Sequence, residues 1–145
     1  MRSTYRILAH LVALGVVIQA AAVAFGVFGV WNDVDAGLVI DDSYEGNAGL
    51  AIHSIVGMMV MPALGLLLLI TSFFAKVRFG IRWALLVFAA IVVQFLLGGF
   101  AFDIPGLGAL HGINALVIFS LAIAAGRSAR SSSPARADVA ALARV

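Results

Sequence analysis

The sequence predicts an all-α fold, a four-helix bundle that crosses a membrane with both termini on the cytoplasmic side, and three observations predict it. Of 145 residues, 63% are hydrophobic and 11% charged, with a mean hydropathy of +1.14, which leaves too little polar surface to cover a soluble globule of this size. The apolar residues gather into four stretches, 7–30, 49–74, 81–102 and a shorter one at 108–126. Each can cross a hydrocarbon core of roughly 30 Å at about 1.5 Å per residue. Charges separate by sign between the connections, so residues 1–126 read as one transmembrane domain and 127–145 as a disordered basic cytoplasmic tail.

The first stretch follows Arg2 and Arg6 and contains Ala20-Ala21-Ala22, a pattern shared with secretory signals. It is longer than the roughly 7–15 apolar residues of a signal core and is therefore expected to remain as a span. Within it Gly15, Gln19, Ala22, Gly26 and Gly29 recur at steps of four and three, a single stripe of small residues with one amide. The connection from Trp31 to Ala48 holds Asp33, Asp35, Asp41, Asp42 and Glu45 and no basic residue, which places it outside. Its spacing does not match a calcium loop, and it reads as a solvated acidic lid over the outer end.

The second stretch carries its small-residue stripe as Gly49, His53 and Gly57, and Pro62 should bend it or free a backbone carbonyl near its middle. Lys76, Arg78 and Arg82 form the next connection, on the cytoplasmic side. Ala90, Gln94, Gly98 and Ala101 make the stripe of the third stretch. A tight outer turn containing Asp103, Pro105, Gly106 and Gly108 leads into the fourth, whose stripe is Gly108, His111, Ala115, Ile118 and Ala122. Arg127, Arg130, Arg136 and Arg144 complete the basic fringe. These placements describe a multi-pass protein of a bacterial-type plasma membrane, N-in and C-in. The pI near 9.7 then reflects contact with anionic membrane lipid, and no nucleic-acid signal is present.

Several kinds of chemistry drop out at once. The chain has no cysteine, so disulfides, thiolate metal sites and cysteine nucleophiles are excluded. No nucleophile and base constellation for hydrolysis stands out, and no Asp, Glu, Lys or Arg lies deep in a span to couple transport to an ion. Histidine is what remains. His53 and His111 each stand about one turn inside the outer end of an even-numbered span, at one depth. An unsatisfied polar group in hydrocarbon costs several kcal/mol, so two imidazoles at one level point to a shared ligand such as a haem iron. His10 lies near the cytoplasmic end, roughly 25 Å from the pair by helix-rise arithmetic, and reads as an interfacial anchor or a quinone contact. Met58, Met59 and Met61 read as packing residues.

The chain also reads as a duplicated helix pair. Val17-Ile18-Gln19 is echoed by Val92-Val93-Gln94, each followed by glycines, and His53-Ser54-Ile55-Val56-Gly57 by His111-Gly112-Ile113-Asn114-Ala115. With the four stripes turned inward, the outer half of the bundle would hold two imidazoles, two carboxamides and few bulky side chains, room for a flat macrocycle. The same stripes also let membrane helices pack closely, with Gln and His hydrogen-bonded across helices and no cofactor present. Both readings stay open at this stage.

A glutamine followed by a glycine-rich end on the odd spans, a histidine near the outer end of the even ones, and a long first outer loop together resemble one four-helix half of heme A synthase. The resemblance covers nearly all of residues 7–126. It implies His53 and His111 as axial ligands of a b-type haem, with Gln19, Gln94, Gly57, Gly98 and Ala115 around it, and an oxidoreductase relationship if the protein is an enzyme. Two features differ from the family: Leu50 stands where many bacterial members carry a glutamate three residues before the histidine, and the cysteine pair of the first outer loop is missing. The resemblance therefore extends to holding haem and not to oxidising its methyl group. The expected function is a haem-binding membrane protein in electron transfer or haem handling, meeting a redox partner or quinone and able to form oligomers. The alternative is a cofactor-free membrane scaffold or accessory subunit.

Overall fold

The computed structural model describes residues 1–41 and 43–131, and those residues form four long helices with no strand among them. Helix α1 is Arg2–Asp35, α2 is Ala48–Ser72, α3 is Gly80–Phe100 and α4 is Pro105–Ser131. Each is long and apolar enough to cross a membrane. Neighbours in sequence pack against one another, and α1 packs on α4 to close the ring, leaving α1 diagonal to α3 and α2 diagonal to α4. Connections that join sequence neighbours in antiparallel fashion, short at 73–79 and 101–104 and longer at 36–47, produce this up-and-down order.

Three boundaries lie five residues from the sequence reading. α1 starts at Arg2 and runs to Asp35, beyond 7–30, because no glycine turn or proline interrupts it before Gly37, which adopts a positive φ of 95°. At about 1.5 Å per residue its 34 residues span about 51 Å, more than a hydrocarbon core. α4 continues past 126 to Ser131, so residues 127–131, read as disordered tail, are helical. Ala125 and Ala129 are buried there, and the Ser128 hydroxyl donates to the Ala125 carbonyl at 2.7 Å. The remainder of that tail, 132–145, lies outside the described residues, as does Asp42.

Pro62 acts as expected, by a specific route. It has no N–H to offer the carbonyl four residues back, and the ladder around it widens into a π turn over Val56–Val60, with the Met61 N–H bonded to the Val56 carbonyl. The helix continues on both sides.

Packing density differs between the two ends. The core comprises Tyr5, Ala9, Val12 and Val16 of α1, Met61 and Leu68 of α2, Ala84, Val87 and Ile91 of α3 and Ile118, Ala122 and Ala125 of α4, all in the half that bears the basic residues. Tyr5 ties this end together by donating to the Gly80 carbonyl at 3.0 Å, and Arg2 donates to the Lys76 carbonyl at 3.2 Å. In the acidic half the buried residues are small, Ala22, Gly26 and Gly49. Outward positions are apolar all round the bundle, with Leu14, Val17, Phe25, Met59, Leu67, Phe95 and Leu116 exposed. A contiguous apolar belt of that extent belongs in lipid.

The acidic connection has its own local order. Asn47 caps α2 by accepting from the Gly49 and Leu50 N–H groups, and its amide donates to the Gly26 carbonyl at 2.8 Å. The Ser43 hydroxyl and backbone N–H both donate to the Asp41 carboxylate, at 2.6 and 2.9 Å, and hold its pKa below the ordinary carboxylate value.

Candidate functional site

The small-residue stripes do face their neighbours, and they set the height of every polar side chain in the bundle. Along α1 and α2 the contacts run in antiparallel register: Gly15 against Met61, Gln19 against Gly57 and His53, Gly26 against Leu50 and Gly49, Gly29 against Asn47. α3 and α4 repeat the arrangement, with Ala90 and Gln94 against Asn114, Gly98 against His111 and Ala101 against Gly108. Glycine is required where the backbones come closest, since a Cβ on Gly49 would meet the Gly26 nitrogen and lie 2.7 Å from the Ala22 carbonyl oxygen.

This register places the two histidines alike. The His53 Nδ1–H donates to the backbone carbonyl of Gln19 at 3.1 Å, and the His111 Nδ1–H donates to that of Gln94 at 3.0 Å. A carbonyl can only accept, so each bond assigns the ring proton to Nδ1 and leaves the Nε2 lone pair free. Both rings are half-buried, and they meet across the α2–α4 diagonal with centroids 6.1 Å apart and planes inclined at 57°. An imidazole nitrogen bonds a metal at about 2.0–2.1 Å, and adding the roughly 1.1 Å from that nitrogen to its ring centre gives about 6.3 Å between two collinear axial imidazoles. The two rings are neighbours at one level of the bundle.

The remaining expected site residues surround this pair at different distances from it. Gly98 gives the His111 ring its room: an added Cβ would stand 3.0 Å from both Nδ1 and Cε1. Gly57 does not face the pair; it receives the Gln19 side chain, whose Nε2 would be 2.5 Å from a Cβ at that position. Ala115 is half-buried and packs on the core toward the basic end. The Gln94 carboxamide accepts from Asn114 at 2.7 Å, while the same Asn114 amide donates to the Ala90 carbonyl at 2.9 Å. Gln19 has no such partner, and its Oε1 is buried without a hydrogen bond. Asn114 was missed as a site residue, although its place three positions after His111 puts it on the same helix face.

His10 is nearer to the pair than helix-rise arithmetic from the ends of the spans allows. The histidines sit at the level of Gln19, near the middle of the long α1, so His10 is nine residues or about 14 Å away along the axis rather than 25 Å. α1 overshoots the other helices at the acidic end, which is why its own end is a poor gauge of their depth.

Among the described residues there is no group of three or more His, Cys, Asp or Glu side chains able to hold a metal ion. A site of two imidazoles is short of the four ligands of structural zinc.

Gly98→Val tests the local geometry directly. The added carbons displace the His111 ring and break its bond to the Gln94 carbonyl, with an expected destabilisation of about 1–3 kcal/mol in detergent, read as a lower thermal midpoint. Nitrogen-15 chemical shifts of the imidazole check whether Nδ1 has lost its acceptor.

Compared with known proteins, the chain matches no family model, no curated protein and no solved structure.

Proposed function

We propose that this is a membrane haem protein in which His53 and His111 would hold the iron, serving electron transfer or haem handling. One observation carries the reading: two imidazoles on diagonal helices, each with Nδ1 occupied by a backbone carbonyl, face one another at 6.1 Å between centroids. Metal-ligating histidines typically donate their other ring N–H to a carbonyl or carboxylate, which orients the ring and raises its basicity. Here both do so, and by the same device. A bound haem b would supply the one-electron chemistry; the chain's own part is to hold the two Nε2 atoms, exclude water and fix the depth of the iron in the bilayer.

The likeness to one half of heme A synthase belongs to this proposal and rests on the residues named above. The recurrence of the Gln carbonyl to His bond in each half supports an origin by duplication of a helix pair. The gathering of Arg2, Arg6, Lys76, Arg78, Arg82, Arg127 and Arg130 at one end supports that end as cytoplasmic. A quinone or a redox protein would be the electron partner, and an oligomer is compatible with the exposed apolar belt. A second reading also has an observation behind it. The Asn114–Gln94–Ala90 bonds link α3 to α4 with no cofactor, as expected of a scaffold or accessory subunit.

Optical spectroscopy separates the two. Protein purified from haem-replete cells is expected to show a Soret band, with sharp α and β bands on reduction. Folded, monodisperse and colourless protein that also fails to take up added haemin would overturn the haem reading in favour of the scaffold.

A further inference from the structure

A second feature lies at the opposite end of the bundle, where α1 and α4 border an open groove of about 410 Å³ lined by Arg6, Ile7, His10, Leu11, Leu14 and Arg130. We infer that this groove binds one anionic phospholipid, with its phosphate between Arg6 and Arg130 and an acyl chain along Ile7, Leu11 and Leu14. The order of polarity along the groove matches that ligand. Arg6 is near the helix end, His10 is one turn deeper, and the apolar wall continues to Leu14, so charge gives way to hydrocarbon in the direction in which a lipid does. Ile7, Leu11 and Leu14 are 56%, 40% and 53% exposed, and a soluble phosphate has no use for such a wall.

The two arginines are available for an anion. The described acids, Asp33, Asp35, Asp41, Glu45 and Asp103, all lie in the connections at the far end, so neither guanidinium has a carboxylate partner among the described residues. His10 also lines the groove. The Nδ1–Cε1 edge of its ring lies against Gly126, where any Cβ would collide, and Nδ1 is buried with no hydrogen-bond partner. A buried orphan acceptor is tolerated better than a buried orphan donor. Arginine suits the task further, because its planar fork can hold two phosphate oxygens at once.

The test uses the full chain in detergent, mixed with phosphatidylglycerol or with phosphatidylcholine of the same acyl chains, with retained lipid counted by native mass spectrometry. One phosphatidylglycerol is expected to stay bound at concentrations where phosphatidylcholine does not. At about fivefold per arginine, Arg6→Gln with Arg130→Gln should weaken retention about 25-fold, whereas Arg78→Gln with Arg82→Gln, an equal loss of charge at the same end, should change it less than twofold. Arg6→Lys with Arg130→Lys keeps the charge and the fold and should still lose several-fold through the missing fork. Equal weakening by both glutamine pairs would show diffuse attraction and overturn the site. So would equal retention of the two lipids, or displacement by millimolar glycerol phosphate, which would assign a soluble anion. None of these outcomes depends on whether haem is present.

Discussion

If the proposed haem is bound, His53→Ala and His111→Ala are each expected to abolish its low-spin spectrum, whereas Gln19→Ala and Gln94→Ala are expected to leave it standing. The contrast follows from which atoms hold the rings. Each imidazole is anchored by a backbone carbonyl, at Gln19 or Gln94, so Gln19→Ala and Gln94→Ala remove a carboxamide and keep the anchor. On the proposed reading, losing one histidine would remove one of the two ligands, and no third His, Cys, Asp or Glu joins the pair among the described residues to replace it. The Soret band should shift to a five-coordinate position or disappear, and the reduced α band should collapse. Exogenous imidazole should restore part of the six-coordinate spectrum, because truncation to alanine leaves a cavity of about its size. If Gln94→Ala bleached the protein as fully as His111→Ala, the assignment of the two ligands would fail. A purely structural role for the histidines predicts a different pattern, about 1–3 kcal/mol of lost stability from an orphaned carbonyl and no optical change.

Gly49→Val is expected to cause a large loss of stability. A Cβ at Gly49 collides with the backbone of Gly26 and lies 2.7 Å from the Ala22 carbonyl oxygen, and neither is the movable end of a side chain. α1 and α2 must separate, carrying with them the cap that Asn47 forms and its bond to Gly26. A destabilisation of about 3 kcal/mol or more is expected, seen as aggregation on size-exclusion chromatography or a sharply lowered thermal midpoint. Gly49→Ala should act in the same direction with a smaller effect. Gly99→Ala is the control: an added Cβ there has nothing within 4 Å, and the helix should gain slightly. Equal effects at Gly49 and Gly99 would mean that helix propensity rather than close backbone approach governs these glycines.

Near-identical bonding of the two histidines makes the resting geometry insensitive to the gross differences between the halves. α1 has 34 residues and α3 has 21, yet each presents a glutamine carbonyl at the height of its neighbour's histidine. The halves diverge at the carboxamides. Asn114 satisfies Gln94, whereas Val56 occupies the equivalent place three residues after His53 and Gln19 Oε1 has no partner. A buried acceptor without a donor is a polar group that a bound molecule could satisfy.

The number of spans, their apolar outer faces and the inward stripes were legible in the residue order alone, because lipid imposes a length on each helix and small residues at steps of three and four can only form one line. His53 and His111 stood out for the same reason, as polar side chains on those lines in a chain with few others. Depth was not legible. The overshoot of α1 lowers the histidine pair to the level of Gln19, and it arises from the return path of the acidic connection and the Asn47 contact with Gly26. Nor could periodicity reveal the partners of the imidazoles, since an acceptor supplied by the main chain carries no residue signature. Whether two histidines on diagonal helices face each other depends on how four helices close into a ring, and that closure is set by which backbones approach through glycine at every level at once.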